Sequence, residues 1–468
     1  MSDNQSQLKL TETGVTRSVD KAKSIYGWLD WIVTQQLPFT FVEKRCAQMY
    51  SNLQPITVPT LTDYLKLTYL EAFNSLKRQL PAEFGIVVDG WRMDKTSTEF
   101  FGVFAACPGQ KELTMLGLLP FEADEVNTEE TPFNRTGTVL FGSAESAEII
   151  DIILSAVDRN RSHLLFLVGD NCSRNTRLAD LLEIPFIGCA SHRKALEVKH
   201  YSDEADNVLE KLDLLFRELR HVKNSLILRN LTELRPLKRN ATRWSSAISM
   251  IRRHLKYLEL QIYDHFGPDV GRYVLSFNDN VFVRQLSDAY GDFDSITKFL
   301  QKDGTSLSAS KSAFSILHAK YVTMNTYTMY NPPSSIVHSP HFENAIIKIS
   351  EGNESCLTIH ERNSVSRLLK EDRPLESAPQ MSSSPDNSIS NQLKSIKDAP
   401  SSSDYIDLAF IPATSNALER LFSRAKLSVG CLRTRLSAES LEKQLFLLYN
   451  RSYWDENSIK TIIGSRRT

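Results

Sequence analysis

Phe84-Gly85-Ile86-Val87-Val88-Asp89-Gly90-Trp91 is a short apolar, β-branched run that ends in a carboxylate and a glycine. β-Branched side chains fit a pleated surface and glycine closes the element, so the run predicts a buried strand with Asp89 at the rim of a sheet. An Asp before Gly can bond its own backbone as a turn-former, or it can serve as a ligand at a site. What else reaches that rim decides between the two.

Downstream, the period stays that of strands: Phe100-Phe101-Gly102-Val103-Phe104-Ala105-Ala106, then Leu113 to Leu119, with Pro108-Gly109-Gln110-Lys111 as the turn between them. This is a three-strand meander. Turn-rich, acidic residues 122–143 follow, then helical spacing over Ala144 to Val157, then Leu164-Leu165-Phe166-Leu167-Val168-Gly169-Asp170, a second apolar strand ending in Asp. In a meander the first and third strands run the same way, and a helical crossover leaves the fourth parallel to the first. Asp89 and Asp170 then stand at the same end of the sheet, where ligands of such sheets gather. Two unpaired like charges repel, so a shared divalent cation and a pair of turn-forming acids are both open readings.

Upstream, residues 1–80 predict a helical region, with apolar spacing at Ile25, Trp28, Leu29, Ile32 and Val33 before Pro38, and again from Thr60 to Leu80 before Pro81. Beyond Asp170 come a helix over Thr176 to Leu182, the apolar run Ile184 to Gly188, and Cys189-Ala190-Ser191-His192. Cys189 and His192 are half of a zinc site, but no second pair follows at finger spacing, so zinc is not expected and His192 reads as a hydrogen-bonding or capping residue. A long helix is predicted from about Arg193 to Leu226.

Between Arg235 and Lys256 stand Arg235, Lys238, Arg239, Arg243, Arg252, Arg253 and Lys256 with no acid among them, in a chain whose net charge is −1. With Trp244 interleaved, the cluster suits a nucleic-acid backbone and a stacked base; the alternative is a solvated face over the stripe Ile248, Ile251, Leu255, Leu258 and Ile262, with Trp244 in the core. Residues 247–332 read as helical, 333–404 as a Ser- and Pro-rich linker with a short helix around Phe342 to Ile349, and order returns over 405–468. There Glu419 flanks the apolar residues Leu418, Leu421, Phe422 and Ala425, three positions after Asn416, which it could cap. A last helix over 437–449 carries a wide stripe, Leu441, Leu445, Phe446, Leu448 and Tyr449, that serves a partner or the core. The chain of 468 residues has no apolar run of the ~20 residues a membrane span needs, and its six scattered cysteines point to a reducing compartment.

Ser415-Asn416-Ala417-Leu418-Glu419-Arg420-Leu421-Phe422-Ser423 and the following helix ending Leu447-Leu448-Tyr449-Asn450 resemble the C-terminal dimerisation segment of hAT-superfamily DNA transposases. Val87-Val88-Asp89-Gly90-Trp91, Val168-Gly169-Asp170-Asn171, the Cys189/His192 pair and Thr242-Arg243-Trp244-Ser245-Ser246 appear in that family's order. The resemblance implies an α/β, mixed α+β architecture. Its parts are a ribonuclease H-like sheet flanked by helices over 81–246, an all-α insertion over 247–332, the 333–404 linker, and 405–468 completing the core behind the N-terminal helical region.

It further implies Asp89, Asp170 and Glu419 as converging catalytic acids binding Mg²⁺ or Mn²⁺, with Cys189 and His192 near the active site. Trp244 is implied to stabilise an unpaired base, Arg243, Arg239, Lys238, Arg252 and Arg253 being the basic residues around it. DNA transposition by two-metal strand cleavage and joining, nuclear localisation, and a homodimer or larger homo-oligomer through the C-terminal helices follow from the same likeness. Only Cys46 precedes the core where the family carries a Cys/His finger, and Leu418 stands where a small or polar residue is common. A domesticated, dimerising DNA-binding protein with unused chemistry is therefore the alternative expectation.

Overall fold

The computed structural model describes residues 14–92, 99–121, 142–203, 205–239, 244–321, 336–370, 403–429 and 437–466. The protein is mixed α/β: many helices and one five-stranded mixed sheet. The strands are β1 (Phe84–Arg92), β2 (Glu99–Ala106), β3 (Thr114–Phe121), β4 (Leu164–Gly169) and β5 (Phe186–Gly188), in the order β3-β2-β1-β4-β5. β1, β2 and β3 form the antiparallel meander, and the helix Ser143–Ala156 leads across to β4, which lies parallel to β1. The short β5 is the run Ile184 to Gly188 that the sequence marks only as apolar.

The chain divides into two compact units: Met1–Phe186 with Ile406–Ile411 and Ser415–Thr468, and Ile187–Tyr405 with Pro412–Thr414. In the first, the N-terminal helices are not a region apart. Helices Gly14–Thr34 and Val58–Gln79 pack with Ala438–Tyr449 and Glu456–Ser465 beside the sheet. Thr57 starts the second of them by accepting the Thr60 N–H, with Pro59 in the first turn, where its missing N–H costs nothing. Of the C-terminal stripe, Leu441, Leu445 and Phe446 prove to be core, while Leu448 and Tyr449 are half-buried. Leu441, Leu445, Phe446 and Leu447 are buried within the chain, and Phe446 meets the rings of Tyr69 at 4.8 Å and Phe73 at 5.9 Å.

Helix Ala438–Tyr449 and its C-cap also close the free edge of the sheet. Asn450 Oδ1 accepts the Met115 N–H at 3.0 Å and its Nδ2 donates to the Met115 carbonyl at 2.8 Å, standing in for a sixth strand. Gln444 donates to the Ile32 carbonyl at 2.9 Å, tying the same helix to the N-terminal one.

The second unit is helical. The single helix expected from Arg193 to Leu226 is three: Ala190–Asp203, Asp206–Leu219 and Val222–Leu231. His221 adopts φ −57°, ψ 143°, outside the helical region, and so breaks the run that hydrophobic spacing alone would continue. Residues 336–370 depart from the expected linker as well. They hold the helices Pro340–Ser350 and Ile359–Ser364, and Phe342, Ala345, Ile346, Ile347, Leu357, Val365 and Leu368 are buried. Glu343 forms a buried two-bond pair with Arg193, at 2.7 and 2.5 Å. The rest of the expected linker lies largely outside the described residues.

Candidate functional site

In register, Val87 of β1 faces Val168 of parallel β4, and Asp89 and Asp170 each come two residues later, Asp89 inside β1 and Asp170 just past the end of β4. Strand parity does make β1 and β4 parallel neighbours, but β1 does not stop at Asp89 as the sequence predicts: it runs on to Arg92 in pairing with β2, so Asp89 lies within its strand and only Asp170 follows a strand end. Asp89 lies opposite Gly102 in the antiparallel pairing with β2, so the two share a face of the sheet. The helix Asn416–Val429 covers that face. A Cβ at Gly102 would meet Leu418 Cδ2 at 2.5 Å, so glycine is what admits the helix so closely. Phe422, one turn on, stacks at 5.8 Å on Trp91, which itself stacks on Phe100 at 5.5 Å.

Glu419 is half-buried on the flank of this apolar contact, next to Leu418. The helix that carries the third predicted acid thus lies over the face to which Asp89 belongs. Convergence of all three is another matter: among the described residues, no three His, Cys, Asp or Glu side chains are grouped to hold a metal ion. Asp89 Oδ1 accepts the N–H of Gly90 at 2.8 Å within the strand, and Asp170 Oδ1 accepts from Asn175 Nδ2.

Sequence reasoning missed the charge on the other face of the same rim. Arg174, in the first turn of the helix Ser173–Leu182, reaches Glu99 at 3.4 Å, and both side chains are mostly buried. A Cβ at Gly90 would come within 2.9 Å of the Arg174 guanidinium, so this glycine makes room for the cation. Beside them, burial and then a hydrogen bond to Asp170 push the Cys172 thiol up to about 11, so it stays a thiol at neutral pH. The signal was an unremarkable Arg four residues after Asp170; only folding shows whom it meets.

Cys189 and His192 lie in the helical unit. Cys189 is buried just before the helix Ala190–Asp203, and His192, in its first turn, is half-buried. Of the basic residues, Arg239 is held by Asp206 at 2.5 Å and its backbone N–H reaches Asp213 at 3.4 Å. Arg253 donates to the Arg235 carbonyl and is half-buried, while Lys238 and Arg252 are exposed. Arg239 and Arg253, both expected at nucleic acid, thus have partners within the chain, brought in by neighbouring segments. Trp244 opens the helix Trp244–Glu259, but its side chain and all of Arg243 lie outside the described residues. Within that helix Ile248 and Ile251 are buried, as the stripe predicts.

The chain matches no protein-family model and no curated protein.

Proposed function

We propose that the protein is a hAT-like transposase or a transposase-derived protein with a ribonuclease H-like core, which binds DNA and cleaves and joins its strands. One observation carries the reading: Asp89, within β1, and Asp170, just past β4, each come two residues after the Val87/Val168 pair of these neighbouring parallel strands, and the Asp89 face of the sheet is covered by the helix that bears Glu419. Asp89 and Asp170 would hold Mg²⁺ or Mn²⁺, with Glu419 as the third ligand. A bound divalent cation supplies activation of the attacking hydroxyl and stabilisation of the leaving oxygen. The chain's own contribution is to fix two carboxylates on neighbouring strands, where they cannot drift apart, and to shield that face with Leu418 and Phe422.

The test is Mg²⁺-dependent nicking of hairpin-forming DNA. Asp89→Ala and Asp170→Ala should each lose about 10⁴-fold in rate, the scale of removing an essential catalytic group. Cleavage equal to wild type by both variants discards the assignment.

The second reading, a dimerising DNA-binding protein whose chemistry is unused, draws support from the local bonds of Asp89 and Asp170 and the lack of a three-acid group among the described residues. DNA binding without metal-dependent nicking selects it. A dimer through the C-terminal helices would use faces other than the buried stripe, such as that of Leu427, which is 74% exposed. Among the described residues no helix is long and apolar enough to cross a membrane, and nuclear residence belongs to this proposal alone.

A further inference from the structure

The helices Trp244–Glu259 and Phe277–Leu300 are joined through His254, whose Nε2 lies 2.7 Å from Asn280 Oδ1 and whose Nδ1 lies 2.7 Å from the Tyr263 hydroxyl. Between these helices an open groove of about 490 Å³ is lined by Arg252, Leu255, Lys256, Leu258, Glu259 and Arg284. Its cations come from both walls. Arg252 and Lys256 are one helical turn apart, about 6 Å along the axis, on the first helix, and Arg284 stands on the second. Glu259 pairs with Lys256 at 2.9 Å, whereas Arg252 and Arg284 are exposed and form no ion pair among the described residues. The groove is thus net positive in a chain of net charge −1.

We propose that this groove is a track for the sugar-phosphate backbone of duplex DNA, with Arg252 and Arg284 each neutralising a phosphate and Lys256 between them. The inference rests on the reading of DNA as substrate and adds to it a specific surface. Arg284 is outside the basic cluster of the sequence and reaches the groove only through packing of the two helices. Arg239 and Arg253, inside that cluster, are spent on Asp206 and on the Arg235 carbonyl. Guanidinium groups on opposing walls, over a floor that includes Leu255 and Leu258, suit a continuous polyanion lying along the groove.

The experiment is fluorescence anisotropy with a labelled 30-base-pair DNA duplex of mixed sequence, without Mg²⁺, across a NaCl series. Wild type should bind with a steep salt slope. The double variant Arg252→Ala/Arg284→Ala should flatten that slope by about 1.8, two phosphates at about 0.9 each, while Arg239→Ala leaves it unchanged. Arg252→Lys/Arg284→Lys should restore the slope, which a merely structural role would not require.

An unaltered slope in the double alanine variant overturns the proposal, as does tighter binding to an RNA duplex of the same sequence than to DNA. The nicking assay reads the other claim separately. Metal-dependent nicking with no effect of the groove variants on binding sinks the groove and leaves the catalytic reading standing. Groove-dependent binding without nicking does the reverse.

Discussion

The two units hold their buried polar groups in different ways. In the sheet unit the partner is usually backbone: Asn450 bonds Met115, Gln444 bonds Ile32, Trp454 Nε1 donates to the Leu447 carbonyl and Trp28 Nε1 to the Gln54 carbonyl. In the helical unit several partners are other side chains, Arg193 with Glu343, Lys194 with Thr297, His318 with Glu197, His254 with Tyr263 and Asn280, beside backbone bonds such as Tyr257 to the Leu234 carbonyl. Sheets have edges and loops whose N–H and C=O groups need partners, whereas helix interiors satisfy their own backbone. A side chain buried between helices therefore more often finds its complement on another side chain or at a helix end, sometimes far away in sequence. The first arrangement ties neighbouring elements together; the second stakes more on each single residue.

The contrast breaks if removing a side-chain partner costs no more than removing a backbone-capping one. The largest effect is expected for Glu343→Ala, which takes the two-bond carboxylate partner from the fully buried Arg193, at about 3–5 kcal/mol of stability by chemical denaturation.

Next comes pH, where the units should respond with opposite signs. Burial pulls His254 down to about 4, so the unfolded chain takes up a proton near its ordinary 6.5 that the native state refuses; this stability is present above pH 6.5 and lost as pH falls toward 4. Burial pushes Glu442 up to about 7, against the opposing pull of Lys443 and the Leu118 N–H. Between 4.5 and 7 the native state keeps a proton that the unfolded chain has released, so the Glu442 contribution declines as pH rises through that window. Each window corresponds to about 3 kcal/mol, less what partial exposure screens for Glu442. Hydrogen-exchange protection measured at pH 5 and 6.5, in wild type and in Glu442→Gln and His254→Asn, checks both signs. The two units drifting in the same direction would refute the contrast.

The smallest effect is expected for Asn450→Ala, which uncovers the N–H and carbonyl of Met115 at the sheet edge. A loss of about 1–3 kcal/mol for a buried group left unmade should appear as a lower denaturant midpoint with protection lost in β3.

Much of the sheet was legible because strands obey local arithmetic. Two apolar runs, a meander of three and a helix between them were enough to make β1 and β4 parallel neighbours, although β1 runs on through Asp89 to Arg92. The helical unit was less legible because its decisive contacts are long-range. Residues 336–370 look like a linker by composition, yet Glu343 meets Arg193 across 150 residues. Likewise the stripe at Leu441, Leu445 and Phe446 looks free for a partner until helices from the other end of the chain cover it.

The sequence by itself determined the meander, the helical crossover and that the strands carrying Asp89 and preceding Asp170 are parallel neighbours, since side-chain period and crossover rules act over a few residues at a time. Tertiary structure alone decided which charges remain available. Arg239 is taken by Asp206, Glu99 is answered by Arg174 through the space left at Gly90, and Arg284 is carried to the groove beside Arg252. A charge acts through the partner that packing brings to it, and no local pattern specifies that partner.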